Sequence, residues 1–447
     1  MEQPATDKPA KICDLKENKR ILITNVNGLL GHSLFELMRN DHIAIHSEGD
    51  ETAHRFLGTL NTNPTGGMVN ACPSDAIKVL ESSKKPNTFK KQVRNADFIV
   101  LDISQFSANL EEAHQVLQAL KYSEAGLAPE KQQVLVVVSS AMTWSKTPHK
   151  ADGSAYGDRD LEARVPLPKY QQLKQVEMAA LALAKHNDKL RVHVVCSGFL
   201  YGNGEQNDIF YEFFRRSWVS LHPQLSALPV IAAGQNNLPT IHVSDLAGSL
   251  DSIFLHGADY GSYLLAVDQS PASTQRAIMS AISEGIGSGA TQALEIADVI
   301  NEPWCEFLTV DVKLETSQAL RDGIEWKCAG GINAQTMAML NDEFNYFRGL
   351  FPLKVFITGA PASGKTFLTS QLSGEYGIPH LTIKGIIDMG LELKTEYGES
   401  LRAKILELTD QAEADYEKTR KKKDPEFDRA SYQPRLGDDI LHDLVKI

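Results

Sequence analysis

Short runs that are apolar at nearly every position recur along the chain and alternate with segments of helical periodicity. The clearest runs are predicted strands at residues 21–24, 98–102, 134–139, 192–196 and 263–266. Strands of this kind are typical of a parallel sheet that is covered on both faces, and their alternation with helices is typical of an α/β fold. We therefore predict a doubly wound parallel sheet over residues 19–345.

The two ends of the chain have different patterns. Residues 1–18 are polar and are predicted to be a disordered tail. Near the other end, the β-rich run 353–358 predicts one more strand, and residues 391–423 and 438–447 predict helices. We therefore predict a second domain over residues 350–447.

Composition narrows the class of protein. The 447 residues are 42% hydrophobic and 23% charged, as in ordinary globular proteins, and the net charge is −12. An acidic chain is a poor match for the phosphate backbone of nucleic acids, so we expect no nucleic-acid partner. No apolar run is long enough to span a membrane, and the N-terminal residues lack the apolar stretch of a secretory signal.

The five cysteines are scattered, and none of them forms a Cys-x-x-Cys pair. This usage favours a reducing compartment over a disulfide framework and predicts no zinc site. We therefore expect a cytoplasmic protein.

The strongest chemical signal is a phosphate-binding pattern, G-x-x-x-x-G-K-[ST]. It is formed by Gly359, Ala360, Pro361, Ala362, Ser363, Gly364, Lys365 and Thr366. The pattern follows a predicted strand and precedes a predicted helix, which is the order that a phosphate-binding loop requires. In such a loop the backbone N–H groups hold the phosphates of ATP, Lys365 reaches the β- and γ-phosphates, and the Thr366 hydroxyl binds Mg²⁺.

A second glycine loop follows the first predicted strand. Asn25, Gly28 and Gly31 resemble the T-G-x-x-G-x-x-G loop of the extended short-chain dehydrogenases/reductases, with Asn25 in place of the first glycine. Asn tolerates the left-handed backbone conformation better than most residues do, so the turn is compatible with it. Glu48 and Asp50 are the acids available for a ribose.

Further segments follow in the order of that family. Ser140, Tyr170 and Lys174 match its catalytic serine and Y-x-x-x-K pair, residues 197–202 resemble its P-G-x-x-Y-G turn, and residues 241–247 resemble a later segment. The resemblance implies a Rossmann-like fold with NAD(P) as cofactor. Because several family residues are replaced, we favour a docking or structural role with vestigial catalytic residues. Cofactor binding without chemistry, and oxidoreductase or epimerase activity, are the alternatives.

The residues after the phosphate-binding loop resemble adenylate kinases. The run 373–382 is similar to the family's approach to the monophosphate site, and residues 435–441 are similar to a later helix start. The resemblance makes Thr382 and Lys384 candidates for the monophosphate site. Asp388 stands where the family has an arginine that binds AMP.

A dehydrogenase-like domain ahead of a divergent adenylate kinase domain resembles the type of adenylate kinase associated with motile cilia and flagella. The resemblance implies reversible phosphoryl transfer, ATP + AMP giving two ADP, with some nucleoside diphosphate kinase activity, and axonemal proteins as partners. In that family the lid and its arginines follow the helix predicted at 438–447. We therefore expect a partial kinase domain that keeps the ATP-phosphate half of the site, and catalytic activity stays open.

Overall fold

The computed structural model describes residues 19–43, 55–61, 72, 74–104, 110–121, 132–204, 209–219, 227–270, 273–350, 354–376, 378–393, 395–421, 425–429 and 431–446. The predicted tail at 1–18 lies outside these residues, and so do Glu48 and Asp50. The chain divides into two compact units, Met1–Phe351 and Pro352–Ile447.

The first unit contains the strands of the structure. They are β1 (Arg20–Ile23), β2 (Arg55–Gly58), β3 (Ile77–Val79), β4 (Phe98–Asp102), β5 (Gln133–Ser140), β6 (Leu190–Ser197), β7 (Phe199–Tyr201), β8 (Leu228–Ile231), β9 (Thr240–His242), β10 (Tyr263–Ala266) and β11 (Thr291–Leu294).

The helices of the first unit are interspersed with these strands. They are α1 (Leu29–Ile43), α2 (Pro86–Asn95), α3 (Leu110–Leu120), α4 (Gln171–Ala184), α5 (Ile209–Val219), α6 (Val243–His256), α7 (Gln275–Ile286), α8 (Ile296–Val299), α9 (Cys305–Leu308), α10 (Gln318–Gly323) and α11 (Met337–Phe347).

Seven strands form one parallel sheet in the order β10-β6-β5-β4-β1-β2-β3. The chain order reverses between β1 and β4, which is the switch point of a doubly wound sheet. Two further parallel pairs, β7 with β9 and β8 with β11, lie outside this sheet. The predicted α/β fold class is confirmed, and the five strands expected from the apolar runs are β1, β4, β5, β6 and β10.

The near-continuous apolar strands have a simple explanation, because successive side chains enter two different cores. Leu22, Leu101 and Val137 pack in the core on the α2–α4 side of the sheet. Ile21 and Val138 pack in the core on the α1 and α6 side. Since both faces are covered, polar residues have no solvent-facing position in the middle of these strands.

The second unit contains helices α12 (Lys365–Tyr376), α13 (Ile383–Glu392), α14 (Glu396–Thr419) and α15 (Asp438–Lys446). Its small core is formed by Leu401, Leu436 and Leu444. Gly390 allows the helices to approach, because a methyl group built there would lie 2.5 Å from Leu444 Cδ2.

One expectation for the second unit is wrong. The run predicted as a strand at 353–358 has no strand over its described residues, 354–358, and Phe356 is 92% exposed. A strand needs neighbouring backbone to accept and donate hydrogen bonds. No strand occurs in the part of the second unit that the structure describes, so this apolar run has no sheet to join.

Candidate functional site

The phosphate-binding pattern forms a tight turn that leads directly into α12. Ala362 and Gly364 adopt left-handed backbone angles, with φ of 61° and 84°. The Ser363 N–H donates to the Ala360 carbonyl at 3.3 Å, which closes the turn. The first N–H groups of α12 therefore stand beside the loop, where a helix has no internal acceptors for them.

Lys365 lies at the centre of this turn. Its ammonium Nζ donates to the carbonyl oxygens of Gly359 and Ala360, at 2.8 and 2.6 Å. The lysine is half-buried while the rest of the loop, including Thr366, is exposed. A cation held at the mouth of a glycine loop, with helix N–H groups around it, is an arrangement suited to phosphate oxygens.

These residues fit the group that the pattern implies, ATP with Mg²⁺. Lys365 supplies the positive charge, α12 supplies N–H donors, and Thr366 has an exposed hydroxyl for the metal ion. In the described part of the chain, no cluster of three or more His, Cys, Asp or Glu residues is positioned to hold a metal.

The monophosphate candidates lie at the start of α13. Thr382 caps this helix, because its Oγ1 accepts from the Gly385 N–H at 3.0 Å. Lys384 and Asp388 are exposed on the same helix. The candidate threonine therefore has a structural role as well as its proposed one.

The second glycine loop, between β1 and α1, keeps the expected backbone. Asn25 is left-handed, with φ of 52°. A methyl group at Gly31 would lie 2.4 Å from the Asn25 carbonyl oxygen, and one at Gly28 would lie 3.1 Å from it. The glycine spacing is thus explained by close packing of α1 against the turn.

Side chains fasten this loop to its neighbours. The Asn25 amide Nδ2 donates to the Asp102 carbonyl at the end of β4, at 3.2 Å. Asn27 binds both backbone groups of Asn61, donating to its carbonyl at 3.2 Å and accepting from its N–H at 2.8 Å. These bonds connect the loops that follow β1, β2 and β4, across the crevice where this fold binds dinucleotides.

The described residues that follow β2 lack the carboxylate that binds the ribose in a dinucleotide site. The described residues after this strand, 59–61, contain no acid. Thr59 instead donates its hydroxyl to Glu112 at 2.6 Å, and Ser82 donates to the other oxygen of that carboxylate at 2.9 Å. Burial raises the pKa of Glu112, and its oxygens are already occupied by the two hydroxyls.

The catalytic candidates of the dehydrogenase-like unit have separate partners. The Ser140 hydroxyl accepts from the Met142 N–H at 3.2 Å and so caps a short 3₁₀ helix. Tyr170 donates to Glu306 at 3.1 Å, and the Lys174 ammonium donates to the Arg164 carbonyl at 2.8 Å. Burial, followed by the Glu306 charge, raises the pKa of Tyr170.

A dehydrogenase of this family needs a tyrosine whose pKa is lowered. In this chain, burial and the Glu306 carboxylate raise the pKa of Tyr170 instead. With a bridged glycine loop and no acid at 59–61, the described residues of this site therefore lack features that hydride transfer from NAD(P) uses.

Sequence reasoning missed two networks of charged side chains in the first unit. Arg164 and Glu177 form an ion pair at 2.6 Å, with side chains that are 1% and 0% exposed. Glu343 on α11 binds His242 at 2.9 Å and also contacts Lys327. No local pattern signals these pairs, although Glu177 lies one turn beyond Lys174 on α4.

Comparison with known proteins supports two parts of this description. The chain is 28% identical to mouse adenylate kinase 7 over 300 residues, 65% of this chain and 47% of that protein. It is 30% identical to adenylate kinase 7 of Macaca fascicularis over 217 residues, 47% of this chain and 39% of that protein. The chain resembles adenylate kinase 7.

A match of 300 residues to adenylate kinase 7 is longer than the second unit, so it includes a large part of the first. This confirms the resemblance expected from the domain order. The chain spans about half or less of the length of these curated relatives. No family model matches the chain.

Solved structures confirm the fold of the first unit. A dTDP-glucose 4,6-dehydratase from Bacillus anthracis, in complex with NAD, has a TM-score of 0.53 at 14% identity, covering 74% of this chain and 100% of that one. UDP-N-acetylglucosamine 4-epimerase from Methanobrevibacter ruminantium has a TM-score of 0.51 at 12% identity, covering 75% and 100%. At this identity the likeness establishes a Rossmann-like fold alone.

Proposed function

We propose that the loop Gly359–Thr366 binds the phosphates of ATP with Mg²⁺, as part of a phosphotransferase of the adenylate kinase family. The proposed reaction is ATP + AMP giving two ADP, with nucleoside diphosphate kinase activity as a second capacity. The observation that carries the proposal is the Lys365 ammonium, held at the turn by two loop carbonyls at the start of α12. The similarity to adenylate kinase 7 supports it.

In the proposed binding step, the Lys365 ammonium exchanges its carbonyl acceptors for phosphate oxygens. The Lys365 ammonium leaves the carbonyls of Gly359 and Ala360 and donates to phosphate oxygens, which carry more negative charge. The N–H groups at the start of α12 donate to the same phosphate group. Bound Mg²⁺ would neutralise phosphate charge, with Thr366 among its ligands. On the monophosphate side, Thr382 and Lys384 are the proposed contacts.

The test is MgATP binding to the full chain, measured by calorimetry. We expect Lys365→Ala to weaken binding about 100-fold or more, because a charge-assisted contact to phosphate is lost. Lys354→Ala removes an exposed lysine just before the loop and is the matched control. Equal affinity in both variants would refute the phosphate-binding role. Thr366→Ala should reduce the dependence of affinity on Mg²⁺.

Turnover is tested separately by coupled detection of ADP formed from ATP and AMP. A rate that Lys365→Ala abolishes, and Lys354→Ala leaves intact, would assign the activity to this loop. Binding without turnover would leave the chain as a nucleotide-binding protein.

We propose a docking or structural role for the first unit, and the observation that favours it is the Tyr170–Glu306 contact with its raised tyrosine pKa. Axonemal proteins of motile cilia or flagella are the proposed partners, and the cytoplasm with the motile cilium is the proposed location. An NAD(P)-dependent oxidoreductase or epimerase is the alternative. Titration with NADH and NADPH decides between them, since saturable binding that Gly28→Val weakens would support the alternative.

A further inference from the structure

Strand β11 has a partner on one side only. It pairs in parallel with β8 and with no other described strand. The carbonyls of Ala290 and Leu294 accept from N–H groups of β8 and of the residue that follows it, at 3.1 and 3.0 Å. Because backbone groups alternate in direction along a strand, the N–H and C=O groups of Thr291 and Ala293 point away from β8. Ala293 is exposed, so this side of β11 is an open edge.

Comparable edges of the first unit are protected. On the outer side of β10, the Leu265 N–H donates to Ser317 Oγ at 2.8 Å, and the Leu265 carbonyl accepts from the Ser317 N–H at 3.0 Å. On the outer side of β8, Pro229 has no N–H to offer, and the Ile231 N–H donates to Gln275 Oε1 at 3.2 Å. Charges, prolines and covering segments are the usual protections of a strand edge. β11 contains neither a charge nor a proline, and the described elements that chiefly pack against it are β8 and α7.

The surface that follows β11 is acidic. Residues 277–312 contain six acidic residues and no lysine or arginine. Glu295, Asp298 and Glu302 are exposed, and within the described part of the chain they form no ion pair. Arg276 precedes this segment, and its guanidinium donates to a backbone carbonyl just beyond β8. A positively charged segment would therefore be attracted to this edge.

Apolar side chains are exposed beside the same edge. Ile296 and Ile300, on α8 and at its end, are 47% and 65% exposed. Residues four apart lie on one side of a helix, so the two isoleucines form a common apolar surface. Free backbone groups, apolar contacts and negative charge thus occur together within residues 291–302.

We propose that the open edge of β11 docks an extended segment of a partner protein, in which apolar residues alternate with lysine or arginine. The segment adds to β8 and β11 as a third strand, through the backbone groups of Thr291 and Ala293. Its apolar side chains contact Ile296 and Ile300, and its cations face the acids that follow β11. This edge gives a location to the docking role proposed for the first unit and rests on that role. It is independent of the function proposed for the loop Gly359–Thr366.

The experiment uses the full chain and a fluorescent eight-residue peptide in which valine alternates with lysine. Binding is measured by fluorescence anisotropy, and amide hydrogen exchange is followed over residues 290–296. We expect the peptide to bind and to slow exchange at 291–294. The same peptide with glutamate in place of lysine should bind at least tenfold more weakly. A lysine peptide with one central valine replaced by proline keeps the charge but interrupts the strand, so it should bind about tenfold more weakly.

Variants of the chain test the location. Ala293→Pro removes an N–H that points away from β8, so the pairing with β8 is kept and peptide binding should fall about tenfold. Ala293→Ser retains the N–H and should bind as the original chain does. Glu295→Gln combined with Asp298→Asn should weaken binding about threefold and reduce its dependence on salt. Glu162→Gln, which removes an exposed acid elsewhere in the first unit, should do neither.

The proposal is overturned if no peptide binds, if the glutamate peptide binds as well as the lysine peptide, or if Ala293→Pro and Ala293→Ser bind alike. A dimer of the chain alone that Ala293→Pro disperses, seen by sedimentation, would assign the edge to a second copy and would also overturn it. The proline-containing peptide tests strand addition on the unaltered chain, so the result does not depend on how well Ala293→Pro folds. Titration with NADH tests the docking role of the first unit separately, so the role and this location can fail independently.

Discussion

The two glycine loops of this chain have similar sequence signals and opposite surroundings. In the first unit, Asn25 and Asn27 fasten the loop to the ends of neighbouring strands, and Asn25 is 1% exposed. In the second unit, the loop before α12 is exposed, and its cation donates to two carbonyls of the same loop. Glycine spacing predicts the backbone turn in both cases, but the side chains around the turn determine whether ligand groups can enter.

The largest effect is expected in the glycine loop between β1 and α1. Gly31→Ala places a methyl group 2.4 Å from the Asn25 carbonyl oxygen and 2.7 Å from Val26 Cα, which are backbone atoms that cannot move aside. We expect a loss of roughly 3 kcal/mol in the free energy of unfolding, measured with urea. The control is Gly248→Ala in α6, where a methyl group meets nothing within 4 Å. That change should stabilise by up to about 1 kcal/mol. The same sign for both variants would contradict the packing argument.

A second comparison sets a largely buried carboxylate of the first unit, Glu343, against an exposed one of the second unit, Glu407. Burial alone raises the pKa of Glu343, but His242 and Lys327 outweigh it and lower the pKa from 4.5 to about 2. A lowered pKa means that the stabilisation is present above pH 4.5 and is lost as the pH falls towards 2. Glu343→Gln should therefore cost about 3 kcal/mol at pH 6 and progressively less below pH 4.5, as acid titration of unfolding can measure.

The matched control for Glu343 lies in the second unit. Glu407 pairs with Lys404, but the two side chains are 53% and 45% exposed. Exposed pairs contribute little, so Glu407→Gln should change stability slightly at every pH. If both variants showed the same pH dependence, the buried network around Glu343 would not be responsible.

A smaller effect is expected when the first glycine of the family pattern is restored. Asn25→Gly removes the strain of a left-handed asparagine but also the hydrogen bond to Asp102, so stability should change by about 1 kcal/mol or less. The Asn27–Asn61 bonds remain, and we expect no NADH binding. Saturable NADH binding by this variant would show that Asn25 alone closes the crevice.

The sequence predicted the first unit well wherever the signal is local. The apolar runs of β4, β5 and β6 are buried on both faces, so their composition alone marks them as central strands. β3, by contrast, is an edge strand of three residues, of which only Ile77 is buried. β2 lies between β1 and β3, and its four residues include only two large apolar ones, Phe56 and Leu57. Neither run is long enough in apolar residues to stand out in the sequence.

The partners of the candidate residues were not predictable in the same way. Glu306 is separated from Tyr170 by 136 residues, and Glu343 from His242 by 101. Only the fold brings such residues together, so a motif read along the chain cannot show that its tyrosine faces a carboxylate. The missing strand at 354–358 has a related cause, because a strand depends on neighbours that its own sequence does not specify.

The last comparison concerns one helix cap in each unit, where the expected effect is local. Thr274 caps α7 and Thr382 caps α13, through hydrogen bonds of 3.3 and 3.0 Å from the third residue of each helix. Replacing either threonine by Ala should cost about 1 kcal/mol locally, because one backbone donor loses its acceptor. Hydrogen exchange at the first turn of each helix is the measurement, and the Ser variants, which keep the hydroxyl, should restore protection.

Thr382 differs from Thr274 in having a proposed ligand as well. If it contributes to the monophosphate site, Thr382→Ala should weaken AMP binding beyond what the frayed helix explains, whereas Thr274→Ala should leave AMP binding unchanged. Thr382→Ser keeps both the cap and the hydroxyl and should bind AMP as the original chain does. Normal AMP binding by Thr382→Ala, with exchange protection lost at α13, would assign this threonine to the helix cap alone.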